Sequence, residues 1–93
     1  MREIRIASDQ ADGGWRFSVE VEEKGSSRSY SVLLGRDFYE GLRTEAPPER
    51  VVRASFEFLL ERESKESILS QFTIPETILR YFPEYAAEIK KRI

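Results

Sequence analysis

The stretch ERVVRASFEFLLERESKES (residues 49–67) holds the densest run of large apolar residues in the chain. At about 100° per residue, those residues cover a broad arc of a helix. The arc consists of Val51, Val52, Ala54, Phe56, Phe58, Leu59 and Leu60. A helix on the protein surface has a narrower apolar stripe than this. The pattern therefore predicts a helix over residues 49–67 that is buried on most of its circumference, under a sheet and other helices or under a second subunit.

The same helix carries a charged stripe formed by Arg53, Glu57 and Glu61, which recur every four residues beside the apolar arc. Such a stripe is typically the solvated face of a helix. If the chain covers the neighbouring arc only in part, the stripe instead borders an interface, and its three residues are candidates for contacting a partner.

The residues before Gly35 alternate between apolar and polar, which is the period of a strand with one buried face. Two turn-forming segments, SDQADGG (8–14) and EEKGSS (22–27), divide them into three strands. The residues predicted to face the core are Ile4, Ile6, Trp15, Phe17, Val19, Val21, Tyr30, Val32 and Leu34. The N-terminal third therefore predicts a three-stranded antiparallel β-meander.

Helix-start patterns dominate the rest of the chain. Residues 37–40 (DFYE) and 73–76 (TIPE) both match the capping pattern of a helix start. Within residues 61–66, two pairs of opposite charge at i,i+4 predict ion pairs on a continuing helix surface. The fold class is therefore α+β in one domain (1–93), with the β-meander (1–35) packed against a long central helix and C-terminal helices (37–93).

The composition excludes several classes of function. The chain contains 15 Lys and Arg residues against 17 Asp and Glu residues, so a net charge of −2 offers no global attraction to nucleic acid or anionic lipid. It has neither Cys nor His, which removes the thiolate nucleophile and the commonest general base and metal ligand. We expect no catalytic residues, no cofactor and no metal. The N-terminal MREIRIASD lacks a signal-peptide core, which predicts a cytoplasmic protein without membrane attachment.

Two segments resemble DNA-binding motifs. The order of strand, short helix and longer helix over residues 28–63 resembles a ribbon-helix-helix module, whose paired strands enter the major groove of DNA. That resemblance implies that Ser29, Ser31 and Leu33 would read bases. Residues 68–82 (ILSQFTIPETILRYF) are similar to a helix-turn-helix, which would present Glu76, Thr77 and Arg80. A basic patch near Arg5, Arg16 and Arg28 would favour DNA binding.

A further resemblance covers residues 55–72 (SFEFLLERESKESILSQF) and 80–85 (RYFPEY). These segments resemble short bacterial proteins whose function is not established. The resemblance implies a bacterial, cytoplasmic, single-domain protein, and it implies no activity, ligand or site residue.

An aromatic cluster near the C-terminus comprises Tyr81, Phe82 and Tyr85. Aromatic side chains are favoured anchors of protein interfaces, although they also close small cores. We therefore expect a non-catalytic module that binds another protein or a second copy of itself through these residues and the charged stripe. The alternative is a dimeric DNA-binding regulator or antitoxin of the ribbon-helix-helix type, and the balanced charge makes nucleic acid the less favoured partner.

Overall fold

Helices cover one face of a four-stranded sheet in the computed structural model, which describes residues 2–93. The strands are β1 (Glu3–Ala11), β2 (Gly14–Glu23), β3 (Ser26–Gly35) and β4 (Gln71–Ile74), and the helices are α1 (Arg36–Gly41), α2 (Pro48–Leu60), α3 (Glu76–Tyr81) and α4 (Tyr85–Arg92). The sheet order is β1-β2-β3-β4. None of the helices within residues 2–93 is long and apolar enough to cross a membrane.

The β-meander is confirmed. β1, β2 and β3 pair antiparallel, and the predicted inward residues lie on the covered face. Ile4, Phe17, Val19, Val21, Tyr30, Val32 and Leu34 are buried, while Ile6 and Trp15 are partly buried against the same core. Gly13 and Gly25 take positive φ in the two turns, as tight hairpin turns require. The fold class is therefore α+β, as the alternation and the apolar arc predict.

The buried central helix is also confirmed, but it is shorter than predicted. α2 begins at Pro48, where the missing N–H of proline costs no hydrogen bond. All seven residues of the predicted arc are buried, and Ser55 is buried with them. The helix ends at Leu60 rather than Ser67.

The two ion pairs predicted for residues 61–66 are not formed, because the chain has left the helix there. Glu61 accepts two hydrogen bonds from Arg92, each of 2.7 Å, and Arg62 Nε lies 3.2 Å from Glu84. Lys65 pairs with its neighbour Glu66 at 2.8 Å. For Glu61 and Arg62, residues of and beside α4 thus replace the i,i+4 partners that a longer α2 would have offered.

Beyond α2 the chain returns to the sheet instead of continuing as a helix. The Tyr30 hydroxyl donates to the Lys65 carbonyl oxygen at 2.6 Å, and the Ser31 N–H donates to the Ser70 carbonyl oxygen at 2.8 Å. These bonds bring β4 alongside β3 in parallel register. Region 37–93 is therefore not wholly helical. Its short strand is recruited by the open edge of β3, which local sequence does not reveal.

Neither predicted helix start has a side-chain cap. α1 begins at Arg36, one residue before the Asp37 pattern, and Gly35 occupies its N-cap. Thr73 lies in β4, so the helix expected after it begins only at Glu76. The backbone of Thr73 pairs with Leu33 in the sheet, and its N–H donates a hydrogen bond to Thr77 Oγ1 at 3.3 Å. Sheet pairing has replaced the capping box.

Candidate functional site

A groove of about 420 Å³ lies where the end of α2, the segment leading to β4 and helix α3 meet. We call it the Tyr81 groove. Its apolar lining consists of Leu59, Ile68, Leu69, Phe72, Ile78, Tyr81 and Phe82, and its polar lining of Glu63, Ser67 and Thr77. The volume falls within the range of small-ligand and peptide-anchor sites. The surface is therefore concave and mainly apolar, with few polar groups to orient an occupant.

Two exposed apolar side chains line this groove. Leu69 is 52% exposed and Tyr81 is 62% exposed, and they are the large hydrophobic residues that the described part of the chain leaves in solvent. Scattered exposed hydrophobic residues are ordinary, whereas residues gathered at one concave site are characteristic of interaction surfaces.

Phe82 forms part of the wall of the groove and also packs on the core. Its ring meets the Phe58 ring edge-on, with ring centres 6.0 Å apart. The guanidinium of Arg62 lies 3.7 Å from the centre of the Phe58 ring, and that of Arg92 lies 5.6 Å away. This aromatic and cationic cluster holds Phe82 in place from behind, so the wall is backed by packed side chains.

Among residues 2–93, Glu63 is the charged residue that lines the groove. Its backbone N–H donates to the Leu59 carbonyl oxygen at 2.9 Å, which fixes the position of the residue just beyond α2. Burial among apolar neighbours raises the pKa of the Glu63 carboxyl above its usual value. The groove therefore contains a carboxyl group that is partly removed from water.

The charged stripe of α2 makes contacts within the chain and does not line the groove. Arg53 Nη1 donates to the Ile4 carbonyl oxygen of edge strand β1 at 3.0 Å. Glu57 is half-buried, and the Glu61 carboxylate is held by Arg92, whose hydrogen bonds lower the pKa of Glu61. Of the six predicted partner-binding residues, Tyr81 and Phe82 meet in the groove, whereas Arg53, Glu57, Glu61 and Tyr85 lie outside its lining.

Tyr85 belongs to the core. It is 0% exposed, and its hydroxyl shares a 2.5 Å hydrogen bond with Ser55 Oγ, which also donates to the Val51 carbonyl oxygen at 2.8 Å. Burial raises the pKa of Tyr85 to about 12. Tyr85 therefore closes the core instead of anchoring an interface, since a fully buried ring offers no surface to a partner.

The pKa of Tyr85 predicts a loss of stability at alkaline pH. The unfolded chain releases this proton near its ordinary pKa of about 10, before the folded protein does. Deprotonation therefore favours unfolding. The free energy of unfolding should be level below about pH 10 and fall by up to about 1.4 kcal/mol per pH unit towards pH 12. Urea unfolding between pH 8 and 11.5 measures this slope.

The Tyr85→Phe variant is the control for that slope. It should lose about 1 kcal/mol at neutral pH, because Ser55 keeps its bond to Val51 while one hydrogen bond disappears. Above about pH 10, the free energy of unfolding of this variant should fall less steeply with pH than that of the wild type. The fall that remains comes from Tyr30, whose pKa is also raised by burial. Equal slopes in the two proteins would contradict the assignment to Tyr85.

The outer face of the sheet is a polar surface. A shallow hollow there is bordered by Ser18, Glu20, Ser29, Ser31, Ser70 and Gln71. Beside it, Arg5 pairs with Glu20 at 2.8 Å and Glu22 at 2.7 Å, and Glu3 lies 3.2 Å away. The three carboxylates around Arg5 offset its charge, so Arg5 adds little to a basic patch on this face.

The backbone differs from both DNA-binding motifs. β3 is hydrogen-bonded to β2 along one edge, and β4 covers residues 31–34 of its other edge, so that part of β3 is not free to pair with β3 of a second copy. In the helix-turn-helix-like segment, residues 71–74 form a strand where that motif has the end of its first helix and the turn. Ser29, Ser31 and Leu33 consequently lie within a continuous intramolecular sheet.

Sequence reasoning missed most of the groove, including Leu69 and Glu63. No local pattern marks either residue, because their neighbours match a continuing helix. Within residues 2–93 there is no group of three or more acidic side chains able to hold a metal ion. Comparisons with protein-family models, curated proteins and solved structures give no match to this chain. Its function is therefore inferred from the groove itself.

Proposed function

We propose that this chain is a non-catalytic module of the bacterial cytoplasm that binds another protein through the Tyr81 groove. One observation carries the proposal: Leu69 and Tyr81, at 52% and 62% exposure, line the same apolar depression. Covering both side chains removes apolar surface from water, which favours association by about 25 cal/mol per Å² before the costs of binding.

The groove has the layout of an interface centre. Apolar side chains form its floor, and a buried aromatic cluster behind Phe82 supports its wall. A protruding tyrosine is a frequent energetic anchor of protein interfaces, because its large rigid ring loses little conformational entropy on binding. Apolar segments of partner proteins commonly bind in grooves of this kind.

Site-specific photocrosslinking tests the proposal. With p-benzoylphenylalanine in place of Tyr81, illumination of bacterial cells that produce the chain should yield a discrete adduct with a second protein. The same crosslinker in place of Ala86, which is exposed on α4, is the matched control and should yield none. Leu69→Ser in the Tyr81 crosslinker background should reduce the adduct at least several-fold, because it removes the second apolar contact.

Two results would count against the proposal. Crosslinking at position 81 that is no stronger than at position 86 would show that the groove has no protein partner. An adduct of twice the mass of the chain would show that the partner is a second copy of the chain and not another protein. Leu69→Ser should melt like the wild type, since substitutions of exposed side chains usually change stability by less than about 0.5 kcal/mol.

A further inference from the structure

The charge of the Tyr81 groove specifies its occupant further. Glu63 faces a lining that is otherwise apolar or uncharged, formed by residues such as Leu59, Phe72 and Phe82. A carboxylate in such surroundings loses part of its hydration and gains nothing from apolar neighbours in return. Removal from water is the cause that raises the pKa of Glu63.

The cations near Glu63 in sequence are engaged elsewhere. Arg62 lies 3.2 Å from Glu84 and stacks on the Phe58 ring, and Lys65 lies 2.8 Å from Glu66. Among residues 2–93, no Lys or Arg nitrogen comes within 4.0 Å of the Glu63 carboxylate. The groove therefore presents a negative charge that the chain itself does not neutralise.

We infer that the occupant is an apolar peptide segment carrying one Lys or Arg side chain, which pairs with the Glu63 carboxylate inside the groove. This inference rests on the proposed function. A cation brought to a partly desolvated carboxylate gains more than the same pair gains in open water, because the local dielectric constant is lower. An acidic segment, nucleic acid or anionic lipid would be repelled from the same position.

The exposure of Leu69 and Tyr81, the two anchors of the groove, favours a peptide over a small amine as the occupant. A small molecule seated in the depression would fill the floor but leave Leu69 and Tyr81 largely in solvent, since both project from the groove at more than half exposure. A peptide segment can cover both Leu69 and Tyr81 and also bring a basic side chain to Glu63, because all three residues line the same groove. One occupant of this kind accounts for the floor, the anchors and the charge.

Selection from a random peptide library displayed on phage tests this inference with the intact chain as bait. Wild type should enrich peptides that combine two or more large apolar residues with one Lys or Arg. The Kd of a selected synthetic peptide should rise about tenfold or more in the Glu63→Gln variant, the size expected for a charge-assisted hydrogen bond. Gln keeps the shape of Glu and removes the charge, so the variant should melt at or above the wild-type temperature.

A double-mutant cycle identifies the pair. Replacing the basic residue of the peptide by norleucine should weaken binding to wild type about tenfold, yet barely change binding to Glu63→Gln. Equal Kd values for wild type and Glu63→Gln would overturn the inference while leaving the groove as a binding site. Peptides that bind equally well to Tyr81→Ser, or no enrichment from the library, would instead overturn the proposed function itself.

Discussion

Phe56→Ala should lower the free energy of unfolding by about 3–5 kcal/mol, the usual cost of removing a fully buried phenylalanine ring. Phe56 is 0% exposed and reaches from α2 to the sheet. Its ring centre lies 5.1 Å from that of Tyr30 in β3 and 5.7 Å from that of Phe72 in β4. Truncation leaves a cavity where α2 meets both strands, and such a loss is a large share of the stability of a small domain.

Urea unfolding followed by circular dichroism measures this effect. Tyr81→Ala is the matched control, because it also truncates an aromatic ring but at a site that is 62% exposed. That variant should stay within about 0.5 kcal/mol of the wild type. If Phe56→Ala unfolded at the wild-type urea concentration, the packing of α2 against the sheet would be contradicted.

Gly14→Ala should be destabilising by about 3 kcal/mol, at the upper end of the cost of overpacking. A Cβ at this position would lie well inside van der Waals contact of the Leu34 carbonyl oxygen and 3.1 Å from the Arg36 nitrogen. Both neighbours are backbone atoms, so neither can rotate aside. The start of β2 would have to move away from β3, weakening the hairpin pairing on both sides.

Gly41→Ala is the control for that effect. Gly41 is the last residue of α1, and an added Cβ there meets no atom within 4 Å. Alanine costs less conformational entropy than glycine in a helix, so this variant should gain up to about 1 kcal/mol. Thermal melting of the two variants should therefore shift in opposite directions. Equal shifts would contradict the close approach of β2 and β3 at Gly14.

Local periodicity explains why the sheet and α2 were predictable. The face of a residue in a strand depends on its position modulo two, so Phe17 and Val19 could be placed inside without knowledge of the fold. The same holds for α2, where the arc from Val51 to Leu60 needs only 100° per residue. In these cases the pattern of apolar residues within one strand or helix is enough to predict which of its residues are buried.

The groove depended on information that no single element contains. Ile68 and Leu69 are adjacent apolar residues, yet Ile68 is 4% exposed and Leu69 is 52% exposed. The segment changes direction there to bring β4 to β3. Tyr81 and Tyr85 likewise differ because α3 ends at Tyr81 and α4 begins at Tyr85, which interrupts the helical period between them.

The α+β class, the three-stranded meander and the buried central helix follow from the amino-acid sequence alone, because the periods of burial in these elements are properties of neighbouring residues. Long-range contacts set the end of α2, make residues 71–74 a strand, and leave some aromatic side chains exposed while burying others. Each of these depends on partners distant in the chain: Arg92 for Glu61, Tyr30 for the Lys65 carbonyl, and the open edge of β3 for β4. The Tyr81 groove arises from those long-range contacts, since it exists only where α2 stops and the returning chain meets α3.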